Sequence, residues 1–128
     1  RDHPADYERL RSGDPHYAAA GGESMVRFRD RVVAALAAIA GGSAGRRVAV
    51  VTHGGVLGIM HRLANGTPLD VRGSYSRHNA GLNTFRHAAG CWPLEAWGDV
   101  AHLPAASLGG ALRATGQARD RAEDAPQA

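Results

Sequence analysis

One stretch of the sequence combines a side chain capable of electrostatic chemistry with a backbone suited to holding an anion. His53 follows the apolar run Val48–Val51, and Gly54 and Gly55 come directly after it. Such a run is typical of a buried strand in a parallel sheet, and helical spacing resumes after the glycines. Parallel strands bind ligands at their carboxyl ends, and a helix N-terminus favours a phosphate. We therefore predict an anion site at His53.

Each of these three residues also has a purely structural interpretation. His53 could simply close a strand end, with its ring satisfied by backbone groups. Gly54 and Gly55 either present N–H groups to a phosphate or only permit the tight turn from strand to helix. For the histidine we favour the functional interpretation. For the glycines the two interpretations are equally compatible with the sequence.

Two helices are predicted before this stretch. The first runs from Pro4 to Arg11, because proline is tolerated in a first helical turn, and Tyr7 and Leu10 would form its buried side. The second opens at Glu23–Ser24, with Ser24 or Gly22 as its cap, and ends at Gly41–Gly42. Its apolar positions recur at helical spacing and predict a packing face: Met25, Phe28, Val32, Leu36 and Ile39.

The elements after His53 are predicted from the same kinds of signal. A helix from about Val56 to Leu63 would end at Asn65–Gly66. The alternation in residues 82–88 and 92–97 predicts two strands joined at Ala89–Gly90. From Pro104 onward the composition turns to Ala, Gly, Arg and Asp, and residues 117–128 lack any apolar period, so we expect residues 104–128 to form a flexible tail.

Composition sets limits on the class of protein. The 128 residues carry a net charge of +3, and the basic residues are scattered arginines, so we expect the protein to bind an anionic small molecule and no specific nucleic acid.

The single cysteine, Cys91, excludes an internal disulfide and is expected to be a small packed side chain. No apolar run is long enough to span a bilayer, and together with the lone cysteine this predicts a cytoplasmic protein. The other histidines lack metal-ligand spacing, so we predict no metal and no cofactor.

Three motifs in this order resemble the histidine phosphatase superfamily, the phosphoglycerate mutase-like phosphatases and mutases. They are Gly21-Gly22-Glu23-Ser24, Thr52-His53-Gly54-Gly55-Val56-Leu57 and His78-Asn79-Ala80-Gly81-Leu82-Asn83-Thr84-Phe85. The resemblance covers roughly Asp2 to Leu103. It implies an α/β fold: part of a three-layer α/β/α sandwich with a mostly parallel sheet, lacking the N-terminal strand and its loop.

The resemblance also implies roles for individual residues. His53 would be the second active-site histidine, donating a hydrogen bond to the transferred phosphoryl group. Gly54, Gly55 and Glu23 would line the substrate site, although capping of the long helix explains Glu23 and Ser24 as well, and we favour capping. Asn79 would orient the loop near the catalytic histidines.

The family's nucleophile is a histidine in an Arg-His-Gly motif, and this sequence contains no such motif. We therefore interpret residues 1–103 as the C-terminal part of a histidine phosphatase domain and residues 104–128 as the tail. Such a chain would hydrolyse phosphate monoesters through a phosphohistidine only with a nucleophile supplied from elsewhere, and would be inactive alone.

Three alternatives stay open at this point. The chain could be a non-catalytic anion- or partner-binding module. Separately, a homodimer or pairing through an exposed sheet edge is compatible with each interpretation. It could belong to a phosphoglycerate mutase-type phosphotransferase. A dinucleotide binder ranks last, because His53 stands where the fingerprint requires its first glycine.

Overall fold

The computed structural model describes residues 4–73 and 75–104. These residues form three helices and two strands: α1 (Pro4–Ser12), α2 (Met25–Gly42), α3 (Gly54–Asn65), β1 (Leu82–Phe85) and β2 (Leu94–Asp99). The predicted α/β class is therefore correct at the level of its elements. Except for Pro104, the predicted tail lies outside the described residues. The chain divides into two units, Arg1–Tyr75 with Phe85–Leu94, and Ser76–Thr84 with Glu95–Ala128.

A small hydrophobic core between α2 and α3 holds the first unit together. Its buried residues are Val32, Leu36 and Ile59, which expose 4%, 6% and 1% of their surface. Five partly buried side chains surround them: Phe28, Val56, Met60, Leu69 and Trp92. The predicted packing face of α2 is confirmed at its centre. Met25, at the start of the helix, is exposed.

Both ends of the long helix follow the sequence signals closely. Ser24 has extended backbone geometry, and its side chain accepts a hydrogen bond from the N–H of Arg27 at 3.3 Å, so the predicted N-cap is confirmed. Helix α2 includes both glycines that were expected to end it, and Ser43 is its C-cap. Gly66 closes α3 in the left-handed conformation at a φ of 62°, as the Asn65–Gly66 pair predicts.

The prediction of a buried side on α1 is wrong. The helix forms, but Tyr7 and Leu10 expose 61% and 59% of their surface. Asp6 accepts a short hydrogen bond from the Tyr17 hydroxyl, so the described attachment of this helix is polar. The predicted helix is therefore present, but the side that was expected to be buried is exposed.

The prediction of a buried central strand over residues 48–51 is also wrong. The segment has no assigned strand, and Val48, Val50 and Val51 expose 50%, 52% and 101% of their surface. A strand needs a hydrogen-bonded neighbour, whereas the sheet formed by the described residues contains only β1 and β2, paired with each other. The parallel sheet and the three-layer sandwich are therefore not seen in residues 4–73 and 75–104.

The predicted hairpin is confirmed, although β1 is shorter than expected and β2 begins two residues later than expected. An isolated antiparallel bridge joins Ala88 to Cys91, and Ala89 and Gly90 between them have φ angles of 48° and 76°. Two consecutive positive φ angles are those of a type I′ turn, which matches the twist of a hairpin. Cys91 is exposed in this turn, so its expected burial is wrong.

No helix within the described part of the chain is both long enough and apolar enough to cross a membrane.

Candidate active site

The start of α3 places the imidazole of His53 at a helix N-terminus. His53 is the N-cap residue, with extended backbone angles of −107° and 161°, and its side chain makes no capping hydrogen bond. The first helical hydrogen bond runs from the N–H of Leu57 to the carbonyl of His53 at 3.2 Å. The residue is exposed. Its ring is thus available to a ligand at the positive end of the α3 dipole.

Gly54 and Gly55 form the first turn of the same helix. A Cβ added at Gly55 would lie 3.5 Å from Cζ of Phe28 on α2, which is ordinary van der Waals contact. Neither crowding nor a positive φ therefore requires glycine at position 55. The early N–H groups of a helix lack partners within the helix, so this turn can present donors such as the N–H of Gly55 to an anion near His53.

Glu23 has a described partner of its own. Arg31, two turns along α2, donates from Nε to Oε2 of Glu23 at 3.3 Å and from Nη2 to Oε1 at a shorter distance. These hydrogen bonds lower the pKa of the Glu23 carboxyl. An ionised carboxylate would repel a phosphate. Glu23 is therefore better suited to stabilising the first turns of α2 through Arg31 than to binding an anion.

Asn79 belongs to the second unit, where it begins an exposed turn. The turn is closed by the N–H of Gly81, which donates to the carbonyl of His78 at 3.1 Å. Beside it, Asn83 accepts a hydrogen bond from the N–H of Gly98 at 2.8 Å. His53, Gly54 and Gly55 are consecutive in the sequence and lie together at the start of α3 in the first unit. Asn79 lies in the second unit.

Two features near the predicted motifs were not expected from the sequence. In the second unit, Nδ1 of His78 is buried and has no hydrogen-bond partner among the described residues. In the first unit, the Tyr75 ring lies 4.5 Å from the ring of His61, and a Cβ added at Gly58 or Gly73 would overlap it. The glycine inside α3 was the one available signal for this packing, because alanine is otherwise preferred there.

Within the part of the chain that the structure describes, no three His, Cys, Asp or Glu side chains gather into a group that could hold a metal ion.

Comparison with known proteins identifies the family. The model of the histidine phosphatase superfamily (branch 1) matches residues 1–100. The chain therefore belongs to the histidine phosphatase superfamily, as its three motifs predict.

Two curated relatives come from Arabidopsis thaliana. The chain is 38% identical over 84 residues to "Phosphoglycerate mutase-like protein 4", a match that covers 65% of this chain and 35% of that protein. It is 39% identical over 83 residues to "Metal-independent phosphoserine phosphatase", covering 65% and 33%. The chain thus spans about a third of the length of the curated relatives it matches. No solved structure matches it significantly.

Proposed function

We propose that this chain supplies the phosphate-stabilising histidine of a phosphoric monoester hydrolase that acts through a phosphohistidine intermediate. The observation that carries the proposal is the position of His53: an exposed imidazole without a capping hydrogen bond, at the N-terminus of α3. Membership of the histidine phosphatase superfamily supports it.

In this proposal His53 stabilises negative charge on the phosphoryl group, and it does not attack the phosphorus. A ring N–H donates a hydrogen bond to a non-bridging oxygen of the phosphoryl group while negative charge develops there. The dipole of α3, equivalent to about half a positive charge at its N-terminus, adds to the same field. The N–H of Gly55 supplies a second donor from the first helical turn.

The nucleophile comes from outside these 128 residues, because they contain no Arg-His-Gly sequence. The phosphoryl group passes from the ester oxygen to that external histidine, and the alcohol leaves with a proton from a general acid. Water then cleaves the phosphorus–nitrogen bond and releases inorganic phosphate. His53 stabilises the charge in both steps.

The substrate is a phosphorylated small molecule. One relative is called a phosphoserine phosphatase and the other phosphoglycerate mutase-like. These names make phosphoserine the first ester to assay and phosphoglycerate the second. The phosphoserine phosphatase relative is also called metal-independent. That name is consistent with the proposed site, in which side chains and backbone donors carry the positive charge.

Two kinetic assays test the proposal. The 128-residue chain alone should not hydrolyse p-nitrophenyl phosphate. The intact polypeptide that carries these residues together with an Arg-His-Gly segment should hydrolyse it. In that polypeptide His53→Ala should lower kcat by about 10²–10³-fold, the usual effect of removing one donor to a developing oxyanion.

A matched control is His16→Ala. His16 is also exposed, and its described hydrogen bond, to Asp14, comes from its backbone N–H. This variant should keep kcat unchanged. Turnover by the pure 128-residue chain that disappears in His53→Ala would refute the proposal, because the nucleophile would then lie within these 128 residues.

A non-catalytic anion-binding module is the second candidate, favoured by the absence of Arg-His-Gly from the sequence. The coding sequence upstream of Arg1 discriminates between the two. An in-frame apolar strand followed by Arg-His-Gly supports the hydrolase, whereas a start codon with nothing before it supports the module.

A phosphotransferase is the third candidate, favoured by the name of the phosphoglycerate mutase-like relative. Product analysis separates it from the hydrolase. A hydrolase releases one inorganic phosphate for each ester consumed, whereas a mutase returns an isomeric ester and almost no phosphate.

A further inference from the structure

A cleft of about 260 Å³ lies in the first unit, at the end of α3 opposite to His53. Its lining includes two arginines and a set of apolar and hydroxyl side chains: Arg29, Arg62, Ile59, Leu63, Thr67 and Leu69. Arg62 lies nine positions after His53, which is about 13.5 Å along a helix axis. The cleft is therefore distinct from the proposed phosphate site.

Both arginines have donors to spare. Arg62 donates from Nη1 to the carbonyl of Pro68, and within residues 4–73 and 75–104 it has no carboxylate partner. Arg29 directs Nε and Nη2 to a single oxygen of Asp30. Adjacent residues on a helix do not face each other, and a partly exposed pair of this kind is weak. A ligand can therefore compete with Asp30 for Arg29.

The local charge decides which kind of anion fits. Two arginines contribute two positive charges, and Asp30 removes one of them. The C-terminus of α3 adds about half a negative charge. The net excess is below one positive charge, so a dianionic phosphate would be poorly neutralised. A carboxylate carries a single charge, and its planar shape matches the guanidinium fork.

We infer that this cleft binds a small organic carboxylate with an apolar body. The carboxylate lies against Arg29 and Arg62, and the body packs on Ile59, Leu63 and Leu69. Ile59 is almost fully buried and gives the cleft a fixed apolar floor. Thr67, which is half-buried, offers a hydroxyl hydrogen bond to the same head group.

The test is a titration of the ¹⁵N-labelled 128-residue chain with benzoate, followed by NMR. We expect saturable shifts centred on the amides of Leu63, Gly66 and Thr67, with a dissociation constant on the order of 1 mM for a ligand of this size. Followed at the same three amides, benzyl alcohol, which lacks the charge, and inorganic phosphate, which lacks the apolar body, should each bind the cleft at least about fivefold more weakly.

Two conservative variants assign the binding to the arginines. Arg29→Gln removes a charge from a partly exposed position, and Arg62→Lys keeps the charge but loses the fork. Each should weaken benzoate binding by about threefold or more. Thermal unfolding of each variant, compared with the parent chain, shows whether the fold is intact. His53→Ala should leave the affinity unchanged, which separates this inference from the proposed phosphate site.

The inference is overturned if benzoate gives no saturable shifts, or if benzyl alcohol binds as tightly as benzoate. It is also overturned if folded Arg29→Gln and Arg62→Lys chains both keep the parent affinity.

Discussion

The helix that carries His53 is held in place partly by close packing between Gly58 and Tyr75, which a substitution at Gly58 can test. A Cβ at position 58 would overlap the Tyr75 hydroxyl oxygen. The ring cannot easily turn away, since it also lies against Gly73 and the ring of His61. Overpacking of this kind costs about 1–3 kcal/mol. Replacing a helical glycine by alanine returns about 0.5–1 kcal/mol. Gly58→Ala should therefore lower the free energy of unfolding by up to about 2.5 kcal/mol, the difference between these terms.

Tyr75→Phe gives the matched background. Without the hydroxyl, the nearest Tyr75 atom to the new Cβ is Cζ at 3.4 Å, which is ordinary contact. In that background Gly58→Ala should stabilise the chain by about 0.5–1 kcal/mol. The assay is urea unfolding of all four chains, and the predicted coupling between positions 58 and 75 is about 1–3 kcal/mol. If Gly58→Ala stabilises both backgrounds equally, the packing argument is refuted.

Three further changes test the core, the cap and the ion pair of α2. Ile59→Ala should lower the free energy of unfolding by about 2–4 kcal/mol because it empties the most buried core position, and a loss under 1 kcal/mol in urea unfolding would contradict the described core. Ser24→Ala should lower the free energy of unfolding by about 0.5–2 kcal/mol, because the N-cap of α2 is lost. Ser24→Asp should keep most of the parent stability, because aspartate is also a favoured N-cap. Equal stability of the parent and both variants would contradict a stabilising N-cap at Ser24. Glu23→Gln should lower stability slightly at neutral pH, because the hydrogen bonds from Arg31 depress the pKa of Glu23 in the folded state. That contribution is present above the unfolded value of 4.5 and is lost as the pH falls through the folded pKa, so melting temperatures of parent and variant should converge in acid. A difference that grows in acid would contradict the assigned sign.

Local signals predicted the local structure well. Ser24 and Gly66 mark helix ends through the backbone conformations and hydrogen bonds that those residues favour, and both occur where the sequence indicates. Ala89–Gly90 forms the expected turn for the same reason. Such signals depend on a few residues that are neighbours in the sequence, so they predict local structure independently of the rest of the fold.

Sequence signals whose outcome depends on partners elsewhere in the chain predicted less of the structure. The run of valines before His53 indicates a strand, yet a strand forms only beside another strand, and the described residues supply none for it. Tyr7 and Leu10 have helical spacing, yet both are exposed, because no surface within residues 4–73 and 75–104 covers them. Asn79 was placed by resemblance alone, and the structure assigns it to the second unit. The packing of Tyr75 against Gly58 needed the folded backbone to become visible.

The family of the chain was predictable because its three motifs are short and lie in a fixed order. The position of His53 shortly before a helix was predictable, since helical spacing resumes after the two glycines, although the helix begins at Gly54 and not at about Val56. Its role in phosphoryl transfer is still a proposal.

The most direct test of that role is a crystal structure of the intact polypeptide that carries these residues, soaked with tungstate as a phosphate mimic. The account predicts tungstate at hydrogen-bond distance from the His53 ring and from the N–H of Gly55, with the anion lost in crystals of His53→Ala. An anion bound elsewhere in the parent crystals, with the His53 ring making no contact to it, would contradict the account.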